Sequence, residues 1–347
     1  MIKNKVSRVA TAALMAASGL AAAAPPLKPA ERAALVEQIG QQLDKEFHDP
    51  ARVPAALKAL KQATLPAEPE ALAQALTQLL QPALQDAHAR VVFQSEPPPG
   101  ARDEKPDGPP PSREALYRHL NCGVERVEHY PGNIGYLRLD GMPPPRLCAA
   151  TMAAALQVVA GADALIIDLR RNNGGSPAMV QWLASHFLPP KTAMSSVVSI
   201  RDKETETMTT EAGLPGPQLT QVPLYLLTSR QTFSAAEHLA YDLQQTRRAQ
   251  VVGEASGGGA NPGGFVPVHP GFALWVSRAR SVSPVTGGNW EGTGVKPDLV
   301  AEASAARRQA FALALKDLEA AKAPSVMPGE RAELLERLDR VVERLGL

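Results

Sequence analysis

Net charge, long apolar runs and cysteine are all scarce in this chain, and each shortage excludes something. Thirty-six Lys and Arg stand against 35 Asp and Glu, a formal net charge of +1. Neutralising phosphates takes a concentrated basic surface. No Lys/Arg cluster occurs outside the N-terminus, so a nucleic-acid partner is not expected. After the first two dozen residues no stretch is apolar enough to span a bilayer, which takes roughly 20 residues, so stable membrane insertion is not expected. Two cysteines without clustered histidines make a poor metal site, and no metal or cofactor is expected.

What is present is the composition of a globular chain. At 347 residues, 44% hydrophobic and 20% charged, the protein can bury a real core and exceeds one minimal domain. Residues 1–23 place Lys3, Lys5 and Arg8 before a short apolar run that ends in alanines. That is the pattern of a secretory signal peptide, so a periplasmic or extracellular location is expected. Cys122 and Cys148 then lie in the exported part, where an oxidising compartment permits a disulfide. Two free buried thiols remain the alternative.

Residues 24–94 show helical spacing of Leu, Ile and Val broken by Pro54, Pro66 and Pro69, which predicts a small domain of three helices closed by the strand-like RVVFQ. Residues 95–112 are proline-rich and charged, a linker or exposed loop. From 113 to 303 strand-like runs (NIGYLRL, ALIIDLR, PLYLL, AQVVG, GFALWVS) alternate with helical patterns. This predicts an α/β core with a largely parallel sheet. Residues 304–347 return to helix.

Glycines or small residues follow two of these strands, where α/β proteins place reactive groups. ALIIDLRRNNGGSP ends a strand at Asp168 and turns at Gly174-Gly175 into a helix, leaving N–H groups free for an oxyanion. TSRQTFSAAEHLAYDL breaks a strand at Thr228-Ser229 and places Ser234 at a helix entrance. On position alone a serine there is usually a cap. Thr232 offers a second candidate for that role.

DLRRNNGG, TSRQTFSAAEHLAYDL, VVGEASGGGANP and NWEGTGVKPDL occur in the order of the signatures of the S41 tail-specific (C-terminal processing) protease superfamily, which the chain resembles over residues 120–302. The wording is most similar to the branch named after the interphotoreceptor retinoid-binding protein. The resemblance implies a ClpP/crotonase-like core of ββα units and a serine nucleophile, Ser234, acting on a peptide or protein substrate. One branch of the family activates its serine with a lysine about 25 residues later, but no lysine occurs between Lys203 and Lys296. The other branch, similar to the tricorn core protease, uses a histidine and a late glutamate, positions held here by His88 in QDAHARVVF and Glu291 in NWEGTGVKPD. An imidazole near neutral pKa can take the serine proton and a carboxylate can fix its tautomer. The resemblance places the oxyanion donors at Ala235 and at Gly174 or Gly175.

His238, four residues after Ser234, is the nearest competitor for the base and is set aside because its ring points along the helix. Asp86 either orients His88 or ends a helix, Glu237 is a local partner of Ser234, and Asp168 and Arg170 pair to hold the NNGG turn. Asp242, Glu254 and Asp298 are read as structural, Asp242 on a helix surface; His48 is read as solvated or locally bonded. Many relatives carry a PDZ domain before the core, and between Gln94 and Cys122 there is no room for one. The expected function is therefore an exported serine endopeptidase, with a non-catalytic module for retinoid-like or fatty-acyl ligands as the alternative.

Overall fold

The computed structural model describes residues 24–94 and 112–347. The expected signal peptide and nearly all of the proline-rich stretch lie outside them. Three helices come first: α1 (Pro29–Glu46), α2 (Val53–Gln62) and α3 (Pro69–Leu84). Each carries proline in its first turn, where the missing N–H has no intrahelical partner to lose. Leu35, Ile39 and Leu43 on α1 and Leu72, Leu76, Leu80 and Leu84 on α3 recur every four residues and are fully buried, the spacing of one helix face. They do not close on each other alone. The strand β1 (Val91–Phe93) pairs antiparallel with a later strand, and Val268, Phe272, Leu274 and Val276 from the chain's second half complete this core.

Next come α4 (Arg113–His119), β2 (Val124–Tyr130), β3 (Ile134–Leu139), α5 (Pro145–Val158), β4 (Ala164–Asp168), α6 (Pro177–Phe187), β5 (Ser196–Ser199) and β6 (Glu204–Glu206). The chain continues through β7 (Leu224–Thr228), α7 (Ala235–Gln245), β8 (Gln250–Gly253), β9 (Gly263–His269), β10 (Phe272–Ser277), β11 (Arg280–Val282) and β12 (Leu299–Val300), and finishes with α8 (Ala306–Ala320), α9 (Glu330–Glu336) and α10 (Leu338–Leu345).

The main sheet has the order β12-β8-β7-β4-β3-β2. All its ladders are parallel except β2 against β3. Every residue of β4 and β7 is buried, as expected of central strands covered on both faces. Their side chains divide with period two. Leu165, Ile167, Leu224, Leu226 and Val251 face one core with Met152, Leu183 and Leu239 of the helices between strands. Ile166, Tyr225, Leu227 and Val252 face the other, against Phe311, Leu315 and Val342 of the C-terminal helices. Two small antiparallel sheets, β1-β10-β9 and β11-β5-β6, stand beside this body. Cys122 and Cys148 are bonded with their Cα atoms 5.6 Å apart, which ties the entrance of β2 to α5.

The strands β2, β5, β6, β9 and β12 have no counterpart in the sequence reading. β2 (VERVEHY) is polar at most positions and β6 is exposed throughout, so neither carries an apolar run to mark it.

Candidate active site

Ser234 stands where β7 gives way to α7, at φ +55° and ψ −121°. That is a strained conformation for a residue with a side chain, and strain of this kind clusters at functional sites. Neighbours hold it there. Thr232 Oγ1 donates to Leu169 O (2.9 Å) and accepts from Ser229 N (2.9 Å). Phe233 N donates to Asn172 O (3.0 Å), and Ser234 N donates to Glu237 Oε2 (2.7 Å). Thr232 therefore stitches the loop to the end of β4, while Ser234 itself occupies the cap position.

The NNGG turn lies directly against this elbow. Asn172, fully buried, donates through Nδ2 to Leu139 O (2.9 Å) and accepts from Gly174 N (2.9 Å). A Cβ at Gly174 would meet Ser234 Cβ and Ala235 N at 2.8 Å, so only glycine at φ +91° lets the two loops touch. Asp168 and Arg170 pair as the sequence suggested, Nε to Oδ1 at 2.9 Å, and Tyr136 donates to the same carboxylate at 2.7 Å. Burial raises the Asp168 pKa, but the Arg170 and Tyr136 donors outweigh it and hold the group below its usual value.

His88 comes from the other side. α3 ends at Leu84, Gln85 turns the chain at φ +48°, and Asp86 Oδ1 accepts from His88 N (2.9 Å) and Ala89 N (3.1 Å). The imidazole stacks on Trp275 with centroids 5.3 Å apart and lies 4.6 Å from the Phe233 ring. It is 2% exposed, and neither ring nitrogen has a partner among the described residues. Burial pushes its pKa down to about 4, against an upward pull from Asp86. The sequence reading expected an imidazole near neutral pKa.

Ser234, His88, Ala235, Gly175 and His238 line one cavity of about 110 Å³, closed by Val197, Trp275 and Trp290. Gly174 does not line it, and its N–H is engaged by Asn172. Gly175 is therefore the glycine of the turn that borders the cavity, beside Ala235, the first residue of α7.

Glu291 lies beside this group but is aimed elsewhere. Its Oε1 accepts from Ala87 N (2.6 Å), and its Oε2 from Ala260 N (2.6 Å) and Asn261 N (3.2 Å). The carboxylate thus grips the backbone next to His88, and no bond joins it to the imidazole. Burial, reinforced by the Asp86 charge, raises its pKa to about 7.

Glu237 is fully buried and accepts four bonds, from Ser234 N, Gly259 N (2.8 Å), Ser256 Oγ (2.6 Å) and Gly258 N (2.6 Å). It anchors the glycine-rich loop that walls the cavity. Two readings need correction. Asp242 is 3% exposed rather than on a helix surface, and His48 is 4% exposed rather than solvated. In each case the cover comes from residues distant in sequence, Ser195 over Asp242 and Asp86 beside His48.

Residues 133–301, which include the elbow, the NNGG turn and Glu291, match the family model described as peptidase family S41. They are an S41 peptidase domain. The chain is 31% identical over 155 residues to a carboxyl-terminal-processing protease of Synechocystis sp., covering 44% of this chain and 35% of that one. It is 30% identical over 184 residues to a carboxy-terminal-processing protease of Bartonella bacilliformis, covering 51% and 40%. The chain therefore spans well under half of these relatives. A putative peptidase from Parabacteroides merdae superposes at a TM-score of 0.55 with 15% identity, over 78% of this chain and 90% of that one. Mature CPAF complexed with lactacystin gives 0.55 with 13% identity, over 82% and 97%. At such identities these two speak for the fold, a ClpP/crotonase-like α/β core, which agrees with the expected class. The S41 domain begins after His88, so the candidate base is supplied by the segment before it.

Proposed function

We propose that the protein is an exported serine endopeptidase in which Ser234 attacks the peptide carbonyl and His88 takes its proton. The observation that carries this reading is the strained elbow at Ser234 opening onto one small cavity with an unpartnered, buried imidazole. A neutral imidazole is the form that can accept a proton, and burial keeps His88 in that form at neutral pH. Gly175 N and Ala235 N would hold the developing oxyanion. Gly174, the other glycine of the turn, would serve by bringing the turn against the elbow. Glu291 would complete the set by holding the His88 segment through Ala87 rather than by bonding the ring. The cavity of about 110 Å³ is small against the roughly 300–1,000 Å³ usual for ligand pockets, which favours turnover over storage of a retinoid-sized guest. Export is supported by the basic, apolar, alanine-ending N-terminus and by the bonded cysteine pair. Among the described residues no helix is long and apolar enough to cross a membrane. The wording of TFSAAE and NWEG supports the retinoid-binding-protein-like branch.

A serine-directed fluorophosphonate tests the reading. It should modify Ser234, and Ser234→Ala should abolish labelling with an unchanged circular dichroism spectrum. Equal labelling of the variant would refute the assignment.

A further inference from the structure

A second histidine shares the cavity, and unlike His88 it has a carboxylate. His238 lies one turn beyond Ser234 on α7, 5% exposed, with its ring 5.5 Å from that of Trp290. Its Nε2 is 3.2 Å from Asp242 Oδ2. Asp242 in turn accepts from Ser195 Oγ (2.5 Å) and Ser195 N (2.9 Å). Burial alone would raise the Asp242 pKa, but the His238 ring and the Ser195 donors hold it below its usual value. Nε2 is sealed from solvent and makes no hydrogen bond among the described residues, so the carboxylate acts on it by proximity at 3.2 Å, and an acceptor-only neighbour at that range favours the tautomer that keeps the proton on Nε2 and the lone pair on Nδ1. Nδ1 has no partner among the described residues, and it is not among the ring nitrogens sealed from solvent, whereas both nitrogens of His88 are. Among the described residues no Asp, Glu, Lys or Arg lines the cavity.

We propose that His238, oriented by Asp242 and Ser195, is a second acid–base group of the site and that it activates the water that releases the acyl group. This rests on the reading of Ser234 as nucleophile. After acylation the substrate acyl carbon is esterified to Ser234 Oγ. A water oxygen bonds to that carbon while the water's proton passes to His238 Nδ1. The ester C–O bond then breaks, the same proton passes to Ser234 Oγ, and the carboxylic acid departs with serine and imidazole restored. The assignment follows from access. A cavity of about 110 Å³ has room for a few waters, at about 30 Å³ each in the liquid, and the nitrogen that such water can reach is Nδ1 of His238. His88, pressed between Phe233 and Trp275, is left to the serine hydroxyl. Asp242 and Ser195 are positioning residues, because they act through the ring.

The test separates the two half-reactions with p-nitrophenyl acetate as probe. In His238→Gln and Asp242→Asn the burst of nitrophenolate, about one per chain, should persist. Steady-state release should fall by about 10²-fold, within the range for losing acid–base assistance, and an acetyl adduct on Ser234 should accumulate in the intact mass. Ser195→Ala, which removes one hydroxyl and leaves the fold least disturbed, should give the same pattern with a loss of up to about tenfold. A merely structural role would lower burst and steady state together, and that result, or a steady-state rate equal to wild type, overturns the proposal. A wild-type protein that shows neither burst nor adduct overturns the nucleophile assignment as well, so the two failures are distinguishable.

Discussion

Glu237→Ala should unlock the wall of the cavity. The carboxylate is fully buried and accepts from Ser234 N, Ser256 Oγ, Gly258 N and Gly259 N, so its removal strands donors on two loops at once. Burial raises its pKa against those four donors, which means the charged form is held with effort and its loss gives some desolvation energy back. The donors decide the sign. At about 1 kcal/mol for each hydrogen bond, four give about 4 kcal/mol, and alanine also leaves a void where the acid stood. The expected destabilisation is about 3–5 kcal/mol, read as a shift in the urea midpoint with little change in slope. Glu237→Gln keeps the volume and one acceptor oxygen and should fall between. Because Gly259 packs against His88 and Phe233, fluorophosphonate labelling of Ser234 should slow in the alanine variant under conditions where it remains folded. A loss below about 1 kcal/mol would refute the view that Glu237 ties the glycine-rich loop to the elbow.

His88→Ala should lower turnover by about 10²–10⁴-fold. The acid limb of kcat/KM in the wild type should lie near 4, where burial puts the imidazole, and not near the ordinary 6.5; a limb at 6.5 that survives His88→Ala would contradict the assignment. Glu291 gives a stability signature. Its pKa is raised from 4.5 to about 7, so the folded chain holds the proton more tightly. That contribution is fully present below about 4.5 and is lost as pH rises through about 7. Glu291→Gln should flatten this slope in urea unfolding at fixed pH values, and an unchanged slope would place the titration elsewhere. Cys122→Ala/Cys148→Ala opens a link between residues 26 apart, for which loop-closure entropy gives about 3.5 kcal/mol. A loss under 1 kcal/mol would show that neighbouring packing already restrains the loop.

Local pattern made the central strands of the main sheet legible, and it failed at the sheet's edges and where partners arrive from far along the chain. ALIIDLR and PLYLL are continuous apolar runs, the mark of strands buried on both faces, and they became β4 and β7. The small residues after them placed the NNGG turn and Ser234 at the strand ends. Asp242, by contrast, occupies a helical position that reads as surface until Ser195 arrives from 47 residues away to accept its burial. A polar residue whose partner is distant looks solvated in any window reading. Glu291 shows a further limit. The motif located the acid, but its acceptors face backbone N–H groups of Ala87, Ala260 and Asn261, and no residue type marks a backbone donor in advance. The two rival histidines were separable by motif alone, and the carboxylate beside His238 is what motivates the proposal for it.

The site joins two bodies with different cores. Ser234, Ala235 and Gly175 stand at the ends of β7 and β4, whose central strands are buried on both faces, so their mutual positions are set by the main sheet. His88 belongs to the loop between α3 and β1, and that layer is held by the core it shares with β9 and β10. The glycine-rich loop lies between the two and is gripped from both directions, by Glu237 of α7 on one side and by Glu291 on the other. Glu291 also grips Ala87, so one carboxylate links the His88 segment to the loop that Glu237 links to the elbow. Two buried acids in series thus connect the His88 segment to the Ser234 elbow, chiefly through backbone amides. Burial raises the pKa of both acids, so protonating either one would relieve its burial and weaken its link.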